Sequence, residues 1–417
     1  MIKLRDYQEE ISDKACSLLK EKGLAYLSMQ VRTGKTLTAF ASAQKFGAKR
    51  VLFISKLKAL SSIKKDYELL DPSYDLDCIN YESAHKIKDS YDLIIIDEAH
   101  SLGAFPKPSK RTENIKSLVG STPVLFLSGT PTPESYSQIF HQLWISDHSP
   151  FREFGDGIRA FYKFAKEYVN VVPRRVNGFI INDYSDAKKD EVLSVINPYM
   201  LTYTQEEAGF SQVIHEHILD CRSSESTEYI FDTLKKDRCY NRLYDRLKIL
   251  ADTPANLMNK LNQICGGTVI DTEGNHVMLD TFKAERIKEY FAGKKIAIFY
   301  LYKSERDMLI NFFSGSVTED PEEFQHGDYK VFIGQIRSVR EGVRLDKADA
   351  LVFYTMEFSY LSYEQGRNRL MSKERTKPAE VYFCVSQMGF ERKILEAVNN
   401  KKDFTYSWYF KHGRVGE

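Results

Sequence analysis

Leu93-Ile94-Ile95-Ile96 runs without a break into Asp97-Glu98-Ala99-His100. Four consecutive large aliphatic residues leave no polar face, so the segment fits a strand buried on both sides, as in a parallel sheet covered by helices. Such a strand delivers two adjacent carboxylates to the edge of the sheet. Upstream, Ala25 to Val31 is a short β-prone run, Gly34-Lys35-Thr36 follows, and Leu37 to Phe46 has helical spacing. A lysine and a hydroxyl at a strand-to-helix turn form the arrangement that cradles triphosphate and a magnesium ion. With one carboxylate for the metal and one to activate water, nucleotide hydrolysis is the first reading.

The residue types assign themselves to separate tasks. Backbone N–H groups from Thr33 to Thr36 open a helix, where anions are favoured. Lys35 would meet the β and γ phosphates, Thr36 and Asp97 would hold magnesium, and Glu98 would orient and deprotonate the attacking water. The full phosphate-loop pattern places a glycine five positions before Gly34, and this chain has Met29 there. Leu4-Arg5-Asp6-Tyr7-Gln8 lies upstream, and a glutamine amide can pair bidentately with an adenine edge. Ser128-Gly129-Thr130 follows the apolar run Val124 to Leu127. Gln365-Gly366-Arg367-Asn368-Arg369 offers guanidinium groups far downstream. An arginine that reaches a γ-phosphate from another domain makes hydrolysis depend on closure.

At 417 residues the chain is too long for one core, and two or three domains are expected. Asp6 to Lys22 reads as a helix, and Arg50 to Ile54, Leu93 to Ile96 and Val124 to Leu127 read as buried strands. Strands alternating with helices over 1–145 predict a parallel doubly wound sheet. Over 146–280 aromatic and charged residues mix at helical spacing, which predicts a mostly helical connector or insertion. Alternation returns over 281–417: a strand Ile296 to Tyr300, a helix Ser304 to Phe313, then strands Val331 to Ile333, Ala350 to Tyr354 and Val381 to Val385. Lys401 to Glu417 reads as a basic, aromatic tail without a clear element. The net charge of +1 confines any nucleic-acid surface to a local stripe. Six scattered cysteines with no C-x-x-C pair fit reduced thiols, and no apolar run approaches the ~18 residues of a membrane span. The expectation is a soluble cytoplasmic protein, in the host cytoplasm if the source is viral.

In order and content these blocks resemble a superfamily 2 helicase or translocase with two RecA-like domains. The finer likeness is to the Swi/Snf-like branch, particularly its compact bacteriophage-type members. Arg32-Thr33-Gly34-Lys35-Thr36 resembles the abbreviated phosphate loop of that branch. Asn80-Tyr81-Glu82-Ser83 and Leu261-Asn262-Gln263-Ile264-Cys265 are similar to family segments. Glu341 to Asp349 looks like motif V, with Arg344 in place of the usual asparagine; in motif VI, Gln365 and Arg369 match while Ser372 stands at the last arginine position.

The resemblance implies ATP and Mg2+ as cofactors, with Arg5, Gln8, Thr33, Gly34, Lys35, Thr36, Gly342 and Gln365 around the nucleotide. It implies Arg369 as the arginine finger, with Arg367 as the close second. His100, Ser128 and Thr130 would couple the nucleotide site to a nucleic-acid track. The track candidates by family position are Ser55, Lys56, Lys58, Tyr81, Ser83, Tyr302, Lys303, Arg337 and Ser338. The implied activity is DNA-dependent ATP hydrolysis that drives movement on duplex or branched DNA, in replication, recombination or branch migration, with protein partners from those processes. An RNA helicase, and a motor-derived binding module with dispensable hydrolysis, are the alternatives.

Overall fold

The computed structural model describes residues 2–157, 159–176, 179–209, 214–242, 244, 247–339, 343, 345–370 and 377–399. The chain divides into two compact units, residues 1–210 and 211–417. Unit 1 holds β1 (Leu24–Met29), β2 (Arg50–Ser55), β3 (Asp75–Asn80), β4 (Leu93–Ile96), β5 (Val124–Leu127), β6 (Val172–Val176), β7 (Phe179–Asp183) and β8 (Met200–Tyr203). Six of them form one parallel sheet in the order β3-β2-β4-β5-β1-β8.

Why these strands read as unbroken apolar runs is visible in the packing. Leu52, Ile54, Ile94, Ile96, Val124 and Phe126 enter one core. Their neighbours Val51, Phe53, Leu93, Ile95, Leu125 and Leu127 enter a second core on the opposite face. With side chains alternating across the sheet and helices on both faces, every position must be apolar. The helix Asp6–Lys22 keeps acids in its first turn and lysines in its last, in line with the helix dipole, and stops at Gly23 in the left-handed conformation.

Unit 2 holds β9 (Ile214–Cys221), β10 (Cys239–Arg242), β11 (Leu247–Leu250), β12 (Thr268–Ile270), β13 (His276–Met278), β14 (Ile296–Tyr300), β15 (Val317–Thr318), β16 (Val331–Gln335), β17 (Ala350–Phe353) and β18 (Ala379–Ser386). Its sheet is also six-stranded and parallel, in the order β15-β16-β14-β17-β18-β9. Both units are thus RecA-like α/β domains. Among the described residues no helix is long and apolar enough to cross a membrane.

The separate, mostly helical connector expected over 146–280 is not what forms. Helices Ala160–Tyr168, Lys189–Ile196, Glu225–Asp237 and Pro254–Cys265 are present, but β6 to β13 lie among them. β8 and β9 complete the two main sheets, so the segment is shared between the units. The physical reason is edge position: β9, with the sequence IHEHILDC, is exposed at His215, Glu216, Ile218 and Asp220, so it carries no continuous apolar run. The basic tail and residues 371–376 lie outside the described residues.

One ion pair is sealed inside unit 2. Lys283 and Glu391 are bonded to each other with both side chains 0% exposed. The Lys283 ammonium also donates to the Tyr354 carbonyl at 2.7 Å, and Glu391 accepts the Ser386 N–H at 2.7 Å. Removing one partner strands a buried charge, so Lys283→Met should lower the free energy of urea unfolding by about 3–5 kcal/mol. Lys283→Met with Glu391→Leu should recover most of that loss. A double variant no more stable than the single one would refute this account.

Candidate functional site

The loop between β1 and the helix Lys35–Phe46 is shaped by two left-handed residues, Arg32 (φ 64°) and Gly34 (φ 82°). Position 34 needs glycine twice over, because a Cβ there would stand 2.2 Å from Gln8 Nε2. The loop is held from both ends. Thr33 Oγ1 donates to the Gln30 carbonyl at 2.7 Å, Tyr7 OH to the Thr33 carbonyl at 2.9 Å, and Gln8 Nε2 to the Gly34 carbonyl at 3.3 Å. Gln8 Oε1 in turn accepts the Arg5 N–H at 3.0 Å. The Gln8 amide is therefore engaged with backbone on both sides, beside the loop. Arg5 is exposed and reaches the loop through Tyr7, whose hydroxyl its Nη1 contacts at 3.0 Å. The Tyr7 ring stacks on Tyr203 at 4.3 Å, a support from β8 that no local motif announces.

Lys35 Nζ turns back to donate to the Met29 carbonyl at 2.9 Å, and a Cβ on Gly129 would stand 3.4 Å from it. The lysine thus lies at the ends of β1 and β5, where phosphate oxygens would replace a single carbonyl as its partner. Thr36 is half-buried in the first turn of the helix.

Asp97 continues the sheet ladder through its N–H to the Ile54 carbonyl at 2.9 Å. Its carboxylate accepts Ser55 Oγ–H at 2.7 Å, and its carbonyl accepts the Tyr81 hydroxyl. Burial, then the neighbouring Glu98 charge, pushes the Asp97 carboxyl up to about 6, against the opposing pull of Ser55 and Lys35. Glu98 has a left-handed backbone (φ 51°), and its Oε2 lies 3.2 Å from His100 Nδ1. The same nitrogen is 3.0 Å from Ser128 Oγ, which also accepts the Thr130 N–H at 3.2 Å. Protonated, Nδ1 favours the carboxylate; deprotonated, it accepts the serine hydroxyl. One imidazole therefore joins the DEAH carboxylate to the segment after β5.

Among the described residues no group of three or more His, Cys, Asp or Glu side chains could hold a metal. Magnesium needs no such cage, since it keeps waters and takes phosphate oxygens alongside one or two protein ligands. The Thr36 hydroxyl and the Asp97 carboxylate suit that requirement. A carboxylate whose proton affinity is raised by burial and a like charge is one that a cation would relieve.

The same shift predicts a stability effect. Between 3.8 and about 6 the folded chain holds a proton on Asp97 that the unfolded chain has released, so stability falls as pH rises through that window. Asp97→Asn should therefore stabilise the metal-free protein at pH 8, by about 1–3 kcal/mol, and abolish ATP turnover. The gain should shrink at pH 5. A lower melting temperature at pH 8 would contradict the assignment.

Two track candidates are corrected by the fold. Ser55 is fully buried with its hydroxyl on Asp97, and Tyr81 is 2% exposed with its hydroxyl on the Asp97 backbone. Both face inward because Ser55 ends β2 beside β4 and the Tyr81 N–H bonds the Ser55 carbonyl at 3.2 Å, so Ser55 holds the Asp97 carboxylate, Tyr81 holds its backbone, and neither presents its side chain to solvent. Lys58 is exposed, and Lys56 and Ser83 are half-buried.

Within unit 2, Tyr302, Lys303 and Arg337 come together on a cavity of about 520 Å³. Arg337 Nε donates to Glu357, and the Tyr302 hydroxyl accepts Asn262 Nδ2 at 3.3 Å. Burial raises the pKa of this phenol. Asn259, Lys260 and His276 share the lining, from a helix and a hairpin upstream, with no motif to flag them. Ser338 is half-buried and does not line the cavity.

Arg367 is committed to carboxylates, with Nη1 2.9 Å from Glu216 and Nη2 2.7 Å from Glu364. Arg369 Nε donates to the Gln365 carbonyl at 3.1 Å, and Gln365 is 5% exposed with a buried Oε1 that lacks a hydrogen-bond partner. Gly342, Arg344 and Ser372 lie outside the described residues.

Residues 1–86 match the family model of the type III restriction enzyme, res subunit. The match takes in β1 to β3 and the phosphate loop and stops short of Asp97. The match indicates a superfamily 2 helicase-type N-terminal domain. No curated protein matches the chain.

Proposed function

We propose that this protein is a DNA-stimulated ATPase of the Swi/Snf-like kind that translocates on duplex or branched DNA. The observation that carries the proposal is the convergence of Lys35, Asp97 and the Glu98–His100–Ser128 string at one end of the unit 1 sheet. In this reading Lys35 leaves the Met29 carbonyl for the β and γ phosphates. Thr36 and Asp97 would hold Mg2+, whose chemistry there would be to neutralise charge on the phosphates. Glu98 takes the proton of the attacking water, and Arg369 meets the charge that grows on the γ-phosphoryl group. His100, released from or bound to Glu98, passes the state of the site to Ser128 and Thr130. Lys56, Lys58, Tyr302, Lys303 and Arg337 serve the nucleic-acid track, mainly through phosphate contacts.

The decisive measurement is the ATPase rate with duplex, single-stranded and four-way-junction DNA and with RNA, side by side at one salt concentration. Duplex or junction DNA should stimulate most. RNA stimulation equal to that of DNA would move the assignment to an RNA helicase. No stimulation by any of them would leave a binding module.

A further inference from the structure

Where the chain leaves the unit 1 sheet after β8, it stays bonded to the phosphate loop. The Gln30 N–H extends the β1–β8 ladder to the Tyr203 carbonyl at 2.9 Å. Two residues on, Gln205 engages the loop with both of its nitrogens. Its backbone N–H donates to Gln30 Oε1 at 2.7 Å, and its Nε2 donates to the Val31 carbonyl at 2.9 Å. The segment that presents Gln205 is itself fastened. Glu207 Oε2 accepts the Thr204 N–H at 2.7 Å and the Thr204 hydroxyl at 2.9 Å, and the Tyr203 hydroxyl donates to the Glu207 carbonyl at 2.9 Å. The Ala208 N–H returns to the Thr204 carbonyl at 3.2 Å, and Ala208 is buried. Gln205 therefore stands half-buried on a closed turn with its amide already aimed at the loop.

Peptide geometry dictates what that bond does. In a trans peptide the carbonyl and the N–H point to opposite sides. Side-chain donors hold the carbonyls of Gln30 (Thr33 Oγ1), Val31 (Gln205 Nε2), Thr33 (Tyr7 OH) and Gly34 (Gln8 Nε2). The N–H groups of Val31, Arg32, Gly34 and Lys35 are thereby turned the other way. A Cβ on Gly129 would stand 3.5 Å from the Val31 nitrogen and 3.4 Å from Lys35 Nζ, so the Val31 N–H lies on the side the lysine occupies. Backbone N–H groups gathered beside a lysine make an anion cradle. Arg32 sits in the left-handed region (φ 64°), which a non-glycine residue keeps only where its surroundings hold it. Thr33, Tyr7 and Gln8 belong to the loop or to the motif upstream of it. Gln205 belongs to neither.

We propose that Gln205 is a positioning residue for phosphate binding, fixing the Val31–Arg32 peptide so that its N–H joins the cradle for a nucleoside di- or triphosphate. The inference rests on the ATPase reading above and adds a residue to the same site. The bonds also make the segment after β8 a reporter of the loop. A polyphosphate that orders the loop orders what the loop is bonded to.

The test uses the full chain, with MgADP titrated by calorimetry and amide hydrogen exchange as a second readout. Gln205→Met keeps the length of the side chain and removes the donor. It should weaken MgADP binding about tenfold, because a mis-aimed N–H loses a charge-assisted bond to phosphate. KM for ATP should rise by a similar factor and kcat should change far less, since the cradle holds ground state and transition state alike. The melting temperature of the nucleotide-free chain should not fall. In the wild type MgADP should slow exchange across residues 203–209, and in Gln205→Met that slowing should be lost. MgADP affinity unchanged in Gln205→Met, or exchange at 203–209 that ignores MgADP in the wild type, overturns the proposal. An affinity that falls only in step with a lowered melting temperature overturns it as well, since that marks Gln205 as merely structural. A wild-type chain that binds neither MgADP nor MgATP would instead bring down the ATPase reading itself.

Discussion

Arg369→Ala should lower ATP turnover about 10³- to 10⁵-fold, with ATP affinity changed only modestly. A finger meets charge that grows in the transition state, so its loss appears in kcat and hardly at all in ground-state binding. Arg367→Ala should behave differently. Its guanidinium binds Glu216 and Glu364 and lies 5.2 Å from the Tyr363 ring centre, so its removal strands two carboxylates within unit 2. A lowered melting temperature with a milder loss of turnover is expected there. Steady-state kinetics and thermal melts on both variants separate the two roles. Should Arg367→Ala prove the crippling change at intact stability, the motif alignment is out by two residues. Turnover preserved in both variants would mean that neither arginine is the finger.

Glu98→Gln should cut the hydrolysis rate about 10²- to 10⁴-fold while ATP still binds. The amide keeps the shape of the side chain and an oxygen for His100 Nδ1, but it cannot take a proton from water. The left-handed backbone at Glu98 is tolerated equally by glutamine, so folding should not change. Single-turnover hydrolysis alongside nucleotide binding is the appropriate check. A rate close to wild type would mean that another group activates the water.

Much of the frame was legible in the residues. The helix predicted over Asp6 to Lys22 and the strands Leu93 to Ile96 and Val124 to Leu127 form with those limits. Interior parallel strands and a capped amphipathic helix are specified by local periodicity alone. β8 and β9 were not legible, because an edge strand half-faces solvent and its mixed pattern imitates a helical or irregular segment.

Motif order singles out the phosphate-loop and DEAH residues, and the fold brings Lys35, Gly129, Asp97 and Ser128 to neighbouring strand ends. The track candidates fared unevenly for a physical reason. A residue placed after a strand by analogy has no known direction until the neighbouring strand is in place. Ser55 and Tyr81 therefore turned inward onto Asp97, whereas Tyr302, Lys303 and Arg337 met on one cavity with Asn259, Lys260 and His276.

By itself, then, the sequence determined that buried parallel strands carry a lysine, a hydroxyl and two carboxylates to their ends, because burial on two faces and turn chemistry are local properties. Only the tertiary structure decided that Tyr7 and Gln8 brace the phosphate loop, that His100 bridges Glu98 and Ser128, and that Gln205 reaches the loop from the segment after β8. Each of these contacts joins groups separated along the chain or turned toward one another by the packing of the sheet, and no spacing pattern encodes the distance at which they meet.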